Sequence, residues 1–501
     1  MRLTPALMLI LMSIALLPRE VQAQPEATGP ALYELEKAYL RWPLPRGDEA
    51  YGRIDGFHVK DIMNEVIAIA RRSRDRGDQY WGRISGTQSD KETQDWLVAK
   101  YKALGLEDIR VQEFPMAPHW SPTSWGIAVT GGAKSVDLSS ARPLQWATST
   151  PKDGILLDAA WVGLGQAADF IGRDVKGKAV FIHSVPTPGM RNHSAIWMGA
   201  MKRAEDKGAA AVVVVFAMPG NVASQLISSS GVTVPLFSIG LADGTVVREL
   251  VEQGVTPKVR LRLDAFMATG RKTANVWGTL PGMTAEEDIV VMAHTDGHFD
   301  GALDNASGVA TMVALAEYFA KVPKAQRRRS IKFIGLPAHH TGQGQPNTVK
   351  EPTGSQGARW MHENSATVLG KTAMVINAEH TSQTQIYLSG SGFVKSNTVS
   401  ARRWFVSGSD TFKQLVVKVF DQHGVATYEH PEARPGGELS QVWQDAPGVH
   451  VIDHIFYHTD QDTAEFIAPS GLESVTRAYA KLIDEVNKLD LKVVRAPASA
   501  R

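Results

Sequence analysis

The 501-residue sequence carries a formal net charge of +1, with 43% hydrophobic and 21% charged residues. This composition is typical of a globular protein and excludes a disordered chain or a bundle of membrane helices. The near-neutral charge gives no reason to expect a nucleic acid or a membrane surface as partner. The absence of cysteine excludes disulfides and thiolate metal ligands, and the length predicts two domains.

The N-terminal residues predict export. Arg2 precedes an apolar stretch from Pro5 to Leu17, and Val21-Gln22-Ala23 carries the small residues of a cleavage site. The apolar stretch is shorter than the ~20 residues that a membrane-spanning helix needs. We therefore interpret residues 1–23 as a signal peptide and expect a periplasmic or secreted protein beginning near Gln24, with no stable membrane span after processing. A retained membrane anchor is the alternative.

Helical spacing dominates the next part of the chain. Apolar residues recur with a helical period between Ala31 and Gly77. A second helix is predicted to open near Ser89 and to close at Gly105, and a strand is predicted from Ile109 to Phe114. These elements predict a layer that leads into a larger domain.

Residues 138–268 differ in character, because short apolar runs alternate there with glycine-containing turns. The runs are Val175 to Ile182, Ala209 to Val215 and Val234 to Ile239, and the last of them is predicted as a core strand. This pattern predicts a compact α/β insert with β-rich edges.

Strands and helices alternate through the remainder of the chain. The segments predicted as strands are Ala274 to Gly278, Ile289 to Ala293, Ile331 to Leu336, Thr372 to Ala378 and His450 to Phe456, and those predicted as helices are Thr411 to Gln422 and Leu472 to Val486. Such alternation predicts an α/β fold with a mostly parallel, mixed central sheet and helices on both faces.

Polar residues cluster in the loop that follows the buried strand ending at Ala293. In a doubly wound sheet such a loop lies at the carboxyl ends of the strands, where ligands and catalytic groups collect. We expect His294 and Asp304 to face each other across a crevice. Asp296 is expected to hydrogen-bond the far nitrogen of His294 and so to orient it. The chemistry that this arrangement suits is metal binding.

The His-x-Asp at His294 to Asp296 and the Gly-Ala-x-Asp-Asn-Ala-Ser-Gly at Gly301 to Gly308 resemble the metal-binding core of the co-catalytic zinc exopeptidases. This family contains zinc aminopeptidases and glutamate carboxypeptidases. The resemblance implies two zinc ions, with His294 as a ligand of one ion and Asp304 bridging both.

Two later motifs carry the same resemblance. Asn377-Ala378-Glu379 stands where the family usually has Asn-x-Asp, so the resemblance implies Glu379 as a metal ligand. Tyr457-His458-Thr459, followed by Asp462-Thr463, is similar to the motif that supplies the last ligand of the other ion. That ligand would be His458.

One motif departs from the family pattern. The family has Glu-Glu-x-Gly after the strand that here ends at Leu336, and its two glutamates are the general base and a metal ligand. The residues at this place are His339-His340-Thr341-Gly342. We therefore expect His339 to act as the base and His340 as a ligand, because imidazole can accept a proton at neutral pH and is a good zinc donor. Glu351 is the alternative base.

The resemblance extends over nearly all of the expected mature chain. Residues 138–268 are similar to a protease-associated domain, which we expect to overhang the metal crevice. The predicted organisation is residues 1–23 as signal peptide, 24–137 as N-terminal segment and first part of the catalytic domain, 138–268 as insert, 269–490 as metallopeptidase domain and 491–501 as a loose tail.

The resemblance implies an exported, metal-dependent exopeptidase-type hydrolase, aminopeptidase-like or carboxypeptidase-like. It would cleave peptide or related amide bonds with water activated by two zinc ions. Two alternatives remain: an inactive family member that acts as a binding module, and a single-zinc acyltransferase resembling glutaminyl cyclase. Metal stoichiometry distinguishes them, since the hydrolase needs two ions, the cyclase one and the binding module none.

Overall fold

The computed structural model describes residues 42–131, 134–186, 193–225, 231–340, 355–389, 392–452 and 455–495. The predicted signal peptide, the first part of the helical pattern from Ala31 and the alternative base Glu351 lie outside these residues. No helix in these ranges has the length and apolarity to cross a membrane.

The strands of the described residues are, in chain order, β1 (Gly82–Arg83), β2 (Glu107–Pro115), β3 (His119–Gly131), β4 (Lys134–Asp137), β5 (Arg142–Pro143), β6 (Ile155–Trp161), β7 (Ala179–Ser184), β8 (Ala211–Phe216), β9 (Leu236–Gly240), β10 (Lys258–Ala268), β11 (Lys272–Leu280), β12 (Thr284–His294), β13 (Gly297–His298), β14 (Arg329–Leu336), β15 (Thr372–Asn377), β16 (Thr384–Ser389), β17 (Gly392–Val399), β18 (Arg403–Ser407) and β19 (Gly448–Ile452).

The α-helices are α1 (Gly56–Asp75), α2 (Gln88–Ala103), α3 (Ser194–Trp197), α4 (Ala200–Asp206), α5 (Leu241–Glu252), α6 (Gly308–Ala320), α7 (Gln356–Glu363), α8 (Ser365–Val368), α9 (Asp410–Gln422), α10 (Leu439–Val442), α11 (Pro469–Lys488) and α12 (Leu491–Val494). The predicted loose tail therefore begins with a short helix, and Val494 is buried in the core.

A seven-stranded sheet forms the centre of one half of the molecule, in the order β18-β19-β15-β12-β14-β11-β2. The inner neighbours β19, β15, β12 and β14 are parallel, whereas β18, β11 and β2 are antiparallel to theirs. The predicted mostly parallel, mixed sheet is thus confirmed. The predicted strand from His450 to Phe456 is wrong at its end, because β19 stops at Ile452.

Side chains of β12 alternate between two hydrophobic layers. Ile289 and Val291 pack into the core beneath α1, α6, α9 and α11. Val290 and Met292 pack on the opposite face with residues of α7 and α10. A strand buried on both faces needs apolar residues at every position, which explains the continuous apolar run in the sequence. The predicted helices on both faces are confirmed.

A second sheet of eight strands has the order β4-β3-β10-β6-β7-β8-β9-β5. Strands β6 to β9 are parallel neighbours, and the others pair antiparallel. The long pairing of β3 with β10 includes residues before position 138, where the insert is predicted to begin. The core of this sheet also takes in Ile386, Phe456 and Phe466 from the last third of the chain. The two halves therefore share a packed interface.

Candidate metal centre

Four parallel strands bring the candidate residues together. His294 is the last residue of β12, and His339 and His340 follow β14. Glu379 follows β15, and His458 follows β19. Since the carboxyl ends of adjacent parallel strands meet at one edge of a sheet, these side chains converge although the sequence separates them widely.

Asp304 lies in a single π-helical turn, Ala302–Ser307, that leads into α6. The carboxylate of Asp462 accepts hydrogen bonds from the backbone N–H groups of Leu303, at 2.7 Å, and Asp304, at 3.0 Å. These bonds hold the turn by its backbone. They leave the Asp304 carboxylate available to face the histidines.

The buried guanidinium of Arg83 holds the loop between His294 and Asp304. It donates hydrogen bonds to the backbone carbonyls of Thr295, Asp300 and Gly301 at 2.8–3.0 Å. A long side chain from β1 thus replaces the regular hydrogen bonding that the loop lacks.

Four imidazoles face the carboxylate of Asp304. Its Oδ1 lies 3.1 Å from His294 Nε2, 3.2 Å from His340 Nε2 and 3.3 Å from His380 Nε2. Its Oδ2 lies 3.4 Å from His458 Nε2. All five side chains are buried. The expected bridging position of Asp304 is therefore central to the cluster.

Glu379 lies beside this cluster and is also buried. Its Oε2 accepts a hydrogen bond of 2.6 Å from Asn377 Nδ2. Its Oε1 lies 3.9 Å from His380 Nε2. Burial, reinforced by the negative charge of Glu438, raises the pKa of Glu379 above its ordinary value. The structure thus brings together all the predicted ligands, and it adds His380.

The hydrogen bonds of two histidines define which ring nitrogen is free to bind a cation. His294 Nδ1 lies 3.1 Å from the backbone carbonyl of Asp296, and His458 Nδ1 lies 3.3 Å from that of Gln225. Because a carbonyl can only accept, each Nδ1 carries a proton, and in the neutral imidazole each Nε2 then presents its lone pair. Both Nε2 atoms point to the Asp304 carboxylate, which is itself an acceptor.

Acceptors that face one another at this distance need a cation between them. The atoms His294 Nε2, His340 Nε2 and both carboxylate oxygens of Asp304 are buried without a hydrogen-bond partner. Unpaired buried acceptors are costly unless an ion satisfies them. Nitrogen and carboxylate ligands suit zinc. The residues present therefore fit the zinc that the resemblance implies.

Ligand atoms within 4.8 Å of one another form three groups. These are His294 with His339 and His340, His294 with Glu379 and His380, and His298 with His340 and His458. The last two groups share no residue, and Asp304 approaches members of each. Each of these two groups has the ligand atoms to hold one cation.

Asp296 differs from the expectation in its contacts. Its carboxylate is 3.6 Å from His294 Nδ1, beyond hydrogen-bond distance, and the backbone carbonyl of Asp296 takes the nearer place. The carboxylate instead accepts the backbone N–H groups of His339, at 3.1 Å, and His340, at 2.9 Å. Burial raises the pKa of Asp296, but its contacts with His294 and the charge of nearby imidazoles outweigh burial and lower it.

The structure reveals a carboxylate that the sequence analysis missed. Glu438 is fully buried, and its Oε1 accepts a hydrogen bond of 2.5 Å from His339 Nδ1. Burial alone would raise the pKa of Glu438, but the charges of His339 and His294 lower it to about 2. Burial lowers the pKa of His339, and Glu438 reverses this, so that the net direction is upward. The sequence signal is weak, because it consists only of two glycines, Gly436 and Gly437, before an acidic residue.

Backbone strain is concentrated around the cluster. The non-glycine residues with positive φ include Phe299, Ala338, His380 and His458, with values of 47° to 59°. Side chains other than glycine rarely adopt this region, and such strain persists where surrounding contacts impose it. Its concentration here is typical of a functional site.

The second sheet contributes directly to the cluster. Gln145 Nε2 donates a 3.1 Å hydrogen bond to the backbone carbonyl of His340. The backbone N–H of Gln225 donates a 2.7 Å hydrogen bond to the carbonyl of His458, while His458 Nδ1 donates back to Gln225. Ser224 and Thr459 form an isolated antiparallel bridge beside this pair. Residues within 138–268 therefore fix the orientation of two histidines of the cluster.

Comparison with known proteins identifies a family to which part of the chain is similar. Residues 275–483, which carry every histidine and carboxylate of the cluster, match peptidase family M28. The match covers less than half of the chain.

The M28 relationship extends to individual proteins. The chain is 27% identical over 265 residues to aminopeptidase YwaD of Bacillus subtilis (strain 168). That alignment covers 52% of this chain and 52% of the relative, so the match spans about half the length of the curated protein.

Solved M28-type structures share the fold. A zinc aminopeptidase from Bacillus subtilis aligns with a TM-score of 0.61 at 18% identity, covering 88% of this chain and 98% of that one. A peptidase M28 precursor from Shewanella amazonensis SB2B aligns with a TM-score of 0.66 at 16% identity, covering 90% of this chain and 98% of that one. At such identities these structures show the fold, and the predicted zinc exopeptidase-like fold is confirmed.

Proposed function

We propose that this protein is a metal-dependent exopeptidase-type hydrolase that cleaves peptide or related amide bonds near a chain end. The observation that carries the proposal is the convergence of four imidazoles on the Asp304 carboxylate within 3.4 Å. The relation of residues 275–483 to peptidase family M28 supports it. Two Bacillus subtilis relatives also support it, one an aminopeptidase and the other a zinc aminopeptidase of known structure.

The ligands that we propose for two zinc ions are His294, His340, Glu379 and His458, with Asp304 shared. Zinc held there would polarise the scissile carbonyl and activate water for attack. The chain's own contribution is to fix these ligands in one geometry. Asp462 and Arg83 support it by holding the turn and loop backbone.

We propose His339 as the general base. Its Nδ1 donates to the Glu438 carboxylate, so its Nε2 is left with the lone pair that accepts a proton. The ring of His339 stacks on that of His294, with centroids 4.3 Å apart, which places it at the edge of the metal cluster. Glu438 acts through His339 and is therefore a positioning residue.

The negative charge of Glu438 offsets the effect that two nearby cations would have on His339. Two cations near an imidazole stabilise its neutral form and weaken it as a proton acceptor. A buried carboxylate hydrogen-bonded to the other ring nitrogen favours the protonated form by the same electrostatic rule. The His339–Glu438 pair thereby provides the negative charge that a glutamate base would carry itself.

We further propose that the second sheet restricts access to the crevice. The segment ending at Gln225 contacts His458, and Gln145 contacts the backbone of His340. A covered crevice admits a chain end more readily than the middle of a folded chain. This supports exopeptidase rather than endopeptidase action.

Export belongs to the same proposal and rests on the predicted signal peptide at residues 1–23. Expression of the full chain in a bacterium, followed by mass spectrometry of the secreted and periplasmic fractions, tests it. An exported protein beginning near Gln24 is expected. An exported protein with an intact Met1 terminus contradicts cleavage and favours the membrane anchor.

The decisive experiment combines metal analysis with hydrolysis. Purified wild-type protein is expected to contain two zinc ions and to release terminal residues from a panel of short peptides and amides. His340→Ala is expected to lower metal content and turnover together, while His430→Ala, whose side chain is 84% exposed, leaves both unchanged.

The same measurements distinguish the alternatives. A wild-type protein with one zinc and no peptide hydrolysis would favour the cyclase-like acyltransferase. One that binds no zinc and cleaves nothing would be a binding module. That conclusion would be strengthened if replacement of both His339 and His340 by glutamate produced zinc binding and hydrolysis.

A further inference from the structure

We propose that His298, His340 and His458 form a three-histidine metal centre, in which His298 is a ligand that the motif comparison does not assign. The inference rests on the proposed metal-dependent hydrolase and specifies one of its two ion positions. It makes the two positions chemically unequal, because the other one includes the carboxylate of Glu379.

The three rings enclose a common point. Their ligand nitrogens lie within 4.8 Å of one another. The ring centroid of His298 is 5.1 Å from that of His340 and 4.7 Å from that of His458, and the latter two centroids are 4.4 Å apart. Each residue is at least 96% buried. Three imidazoles excluded from water at this separation are close enough to share one ion.

Unsatisfied atoms point to the nature of that partner. His298 Nδ1 and His340 Nε2 are buried without a hydrogen-bond partner. His458 Nε2, the lone-pair nitrogen, lies 3.0 Å from His340 Nδ1 and 3.4 Å from the Asp304 carboxylate. One cation can bind one nitrogen of each ring, in place of the hydrogen bond between His340 and His458, whereas protonation of any one imidazole satisfies only its neighbour.

The position of His298 is fixed by a close approach of two backbone segments, β1 and β13. β13, Gly297–His298, pairs antiparallel with β1, Gly82–Arg83. Gly82 has a φ of +143°, and a Cβ there would overlap the carbonyl oxygen of Gly297. The ring of Tyr80 packs 5.4 Å from that of His298. The N-terminal segment thus fixes the backbone and the ring of this residue together.

The ligand type indicates which ions the centre takes. Imidazole suits zinc, copper, nickel and iron, whereas carboxylate, carbonyl and water oxygens suit magnesium, calcium and manganese. A centre with three imidazoles and one shared carboxylate therefore selects zinc over manganese. Three histidines are also a ligand set of catalytic zinc, which keeps a further position open for water or substrate.

Zinc titration of chelator-stripped protein tests the proposal by calorimetry, with elemental analysis of the loaded protein. Wild type is expected to bind two ions. His298→Ala is expected to keep one and to bind the other at least about 100-fold more weakly, the upper end of the loss seen when a supporting partner of a ligand is removed. His119→Ala removes a histidine that is equally buried but lies outside the cluster, and it is expected to keep both ions.

A second variant separates a ligand from a packing residue and does not depend on His298→Ala being folded. His298→Asp exchanges nitrogen for oxygen, so the ratio of zinc to manganese affinity at the weaker position is expected to fall at least about tenfold. Circular dichroism confirms that each variant compared is folded.

The outcomes are distinguishable from those of the hydrolase proposal. Two ions at wild-type affinity in His298→Ala, or an unchanged zinc-to-manganese ratio in His298→Asp, overturns the three-histidine centre even if wild type cleaves peptides. Loss of one ion in His298→Ala with no hydrolysis by wild type supports the centre and overturns the hydrolase. A wild type that binds no ion overturns both.

Discussion

His339 Nδ1 donates a 2.5 Å hydrogen bond to the buried carboxylate of Glu438, a residue 99 positions later in the chain. The pair places a negative charge behind the candidate base. It is the feature of the structure that most directly supports activity despite the histidines at positions 339 and 340.

Replacement of either member of this pair is expected to reduce turnover and spare metal binding. For His339→Ala we expect kcat to fall ~10²–10⁴-fold, the usual contribution of a positioned general base. For Glu438→Gln, which keeps the shape but not the charge, we expect a fall of ~10–100-fold, as for other supporting partners of functional side chains. Steady-state kinetics on a peptide substrate, with zinc analysis of each variant, provides the measurement.

The chain offers a matched control for that comparison. His362 Nδ1 hydrogen-bonds Asp445 at 2.7 Å, but the histidine side chain is 50% exposed. His362→Ala is expected to leave kcat unchanged. If His339→Ala also left kcat unchanged on every substrate, the base would lie elsewhere, and Glu351 would be the next residue to replace.

Gly437→Ala is expected to disturb Glu379, which we propose as a metal ligand. Gly437 has a φ of +53°, and a Cβ there would overlap Glu379 Oε2. Gly254 has a comparable φ of +78° with open space around it. Both substitutions place alanine in the left-handed region at ~1–2 kcal/mol, but only Gly437→Ala should also lower zinc content. Equal zinc content in the two variants would show that Glu379 can move aside without loss of metal.

The buried carboxyl of Asp90 predicts a pH dependence of stability. Burial, only partly offset by hydrogen bonds from Thr273 and Gly86, raises its pKa from 3.8 to about 6. The folded protein therefore binds a proton that the unfolded chain has released between about pH 4 and 6. The free energy of unfolding is expected to fall by about 3 kcal/mol from this group as the pH rises through that range.

Urea unfolding of wild type and Asp90→Asn at pH 4 and pH 7 measures this dependence. Between pH 4 and pH 7, the free energy of unfolding of wild type should fall by about 3 kcal/mol relative to that of the variant. Asp95→Asn serves as control, because its side chain lies on the same helix and is 63% exposed. A shift that is the same in both variants would assign the effect to other groups.

Gln145→Ala is expected to weaken metal binding, although Gln145 lies outside residues 275–483. Gln145 is buried and donates to the backbone carbonyl of His340. Loss of this bond frees the loop that carries the proposed ligand, and we expect ~10–100-fold weaker zinc binding. Gln385→Ala, which removes a hydrogen bond to the backbone of Ile386, is the control. Unchanged zinc affinity in Gln145→Ala would show that His340 is held without the second sheet.

The central sheet could be predicted from the sequence because its strands are buried on both faces and so read as continuous apolar runs. β12, with Ile289 to Met292, is the clearest case. The motifs following these strands identified residues that the structure brings into one cluster, including His294, Asp304 and His458. Their metal roles stay predictions.

Other parts of the site depend on contacts that sequence spacing does not encode. Glu438 lies just before a short helix and reaches His339 only through the packing of that helix on the sheet. His298 and His380 belong to none of the sequence motifs, and only the structure places them in the cluster. The Asp296 carboxylate was expected to hydrogen-bond His294 Nδ1, and this expectation was wrong. The backbone carbonyl of Asp296 makes that contact instead.

The reciprocal hydrogen bonds between Gln225 and His458 couple metal binding to the stability of the interface between the two sheets. An ion bound to His458 is stabilised by the second sheet, and by reciprocity the same ion must stabilise the docking of that sheet by an equal free energy. Removal of the ion by a chelator is therefore expected to weaken the interface between the two sheets. In a thermal scan, the two sheets of the metal-loaded protein should unfold in one transition. Those of the metal-free protein should unfold at different temperatures.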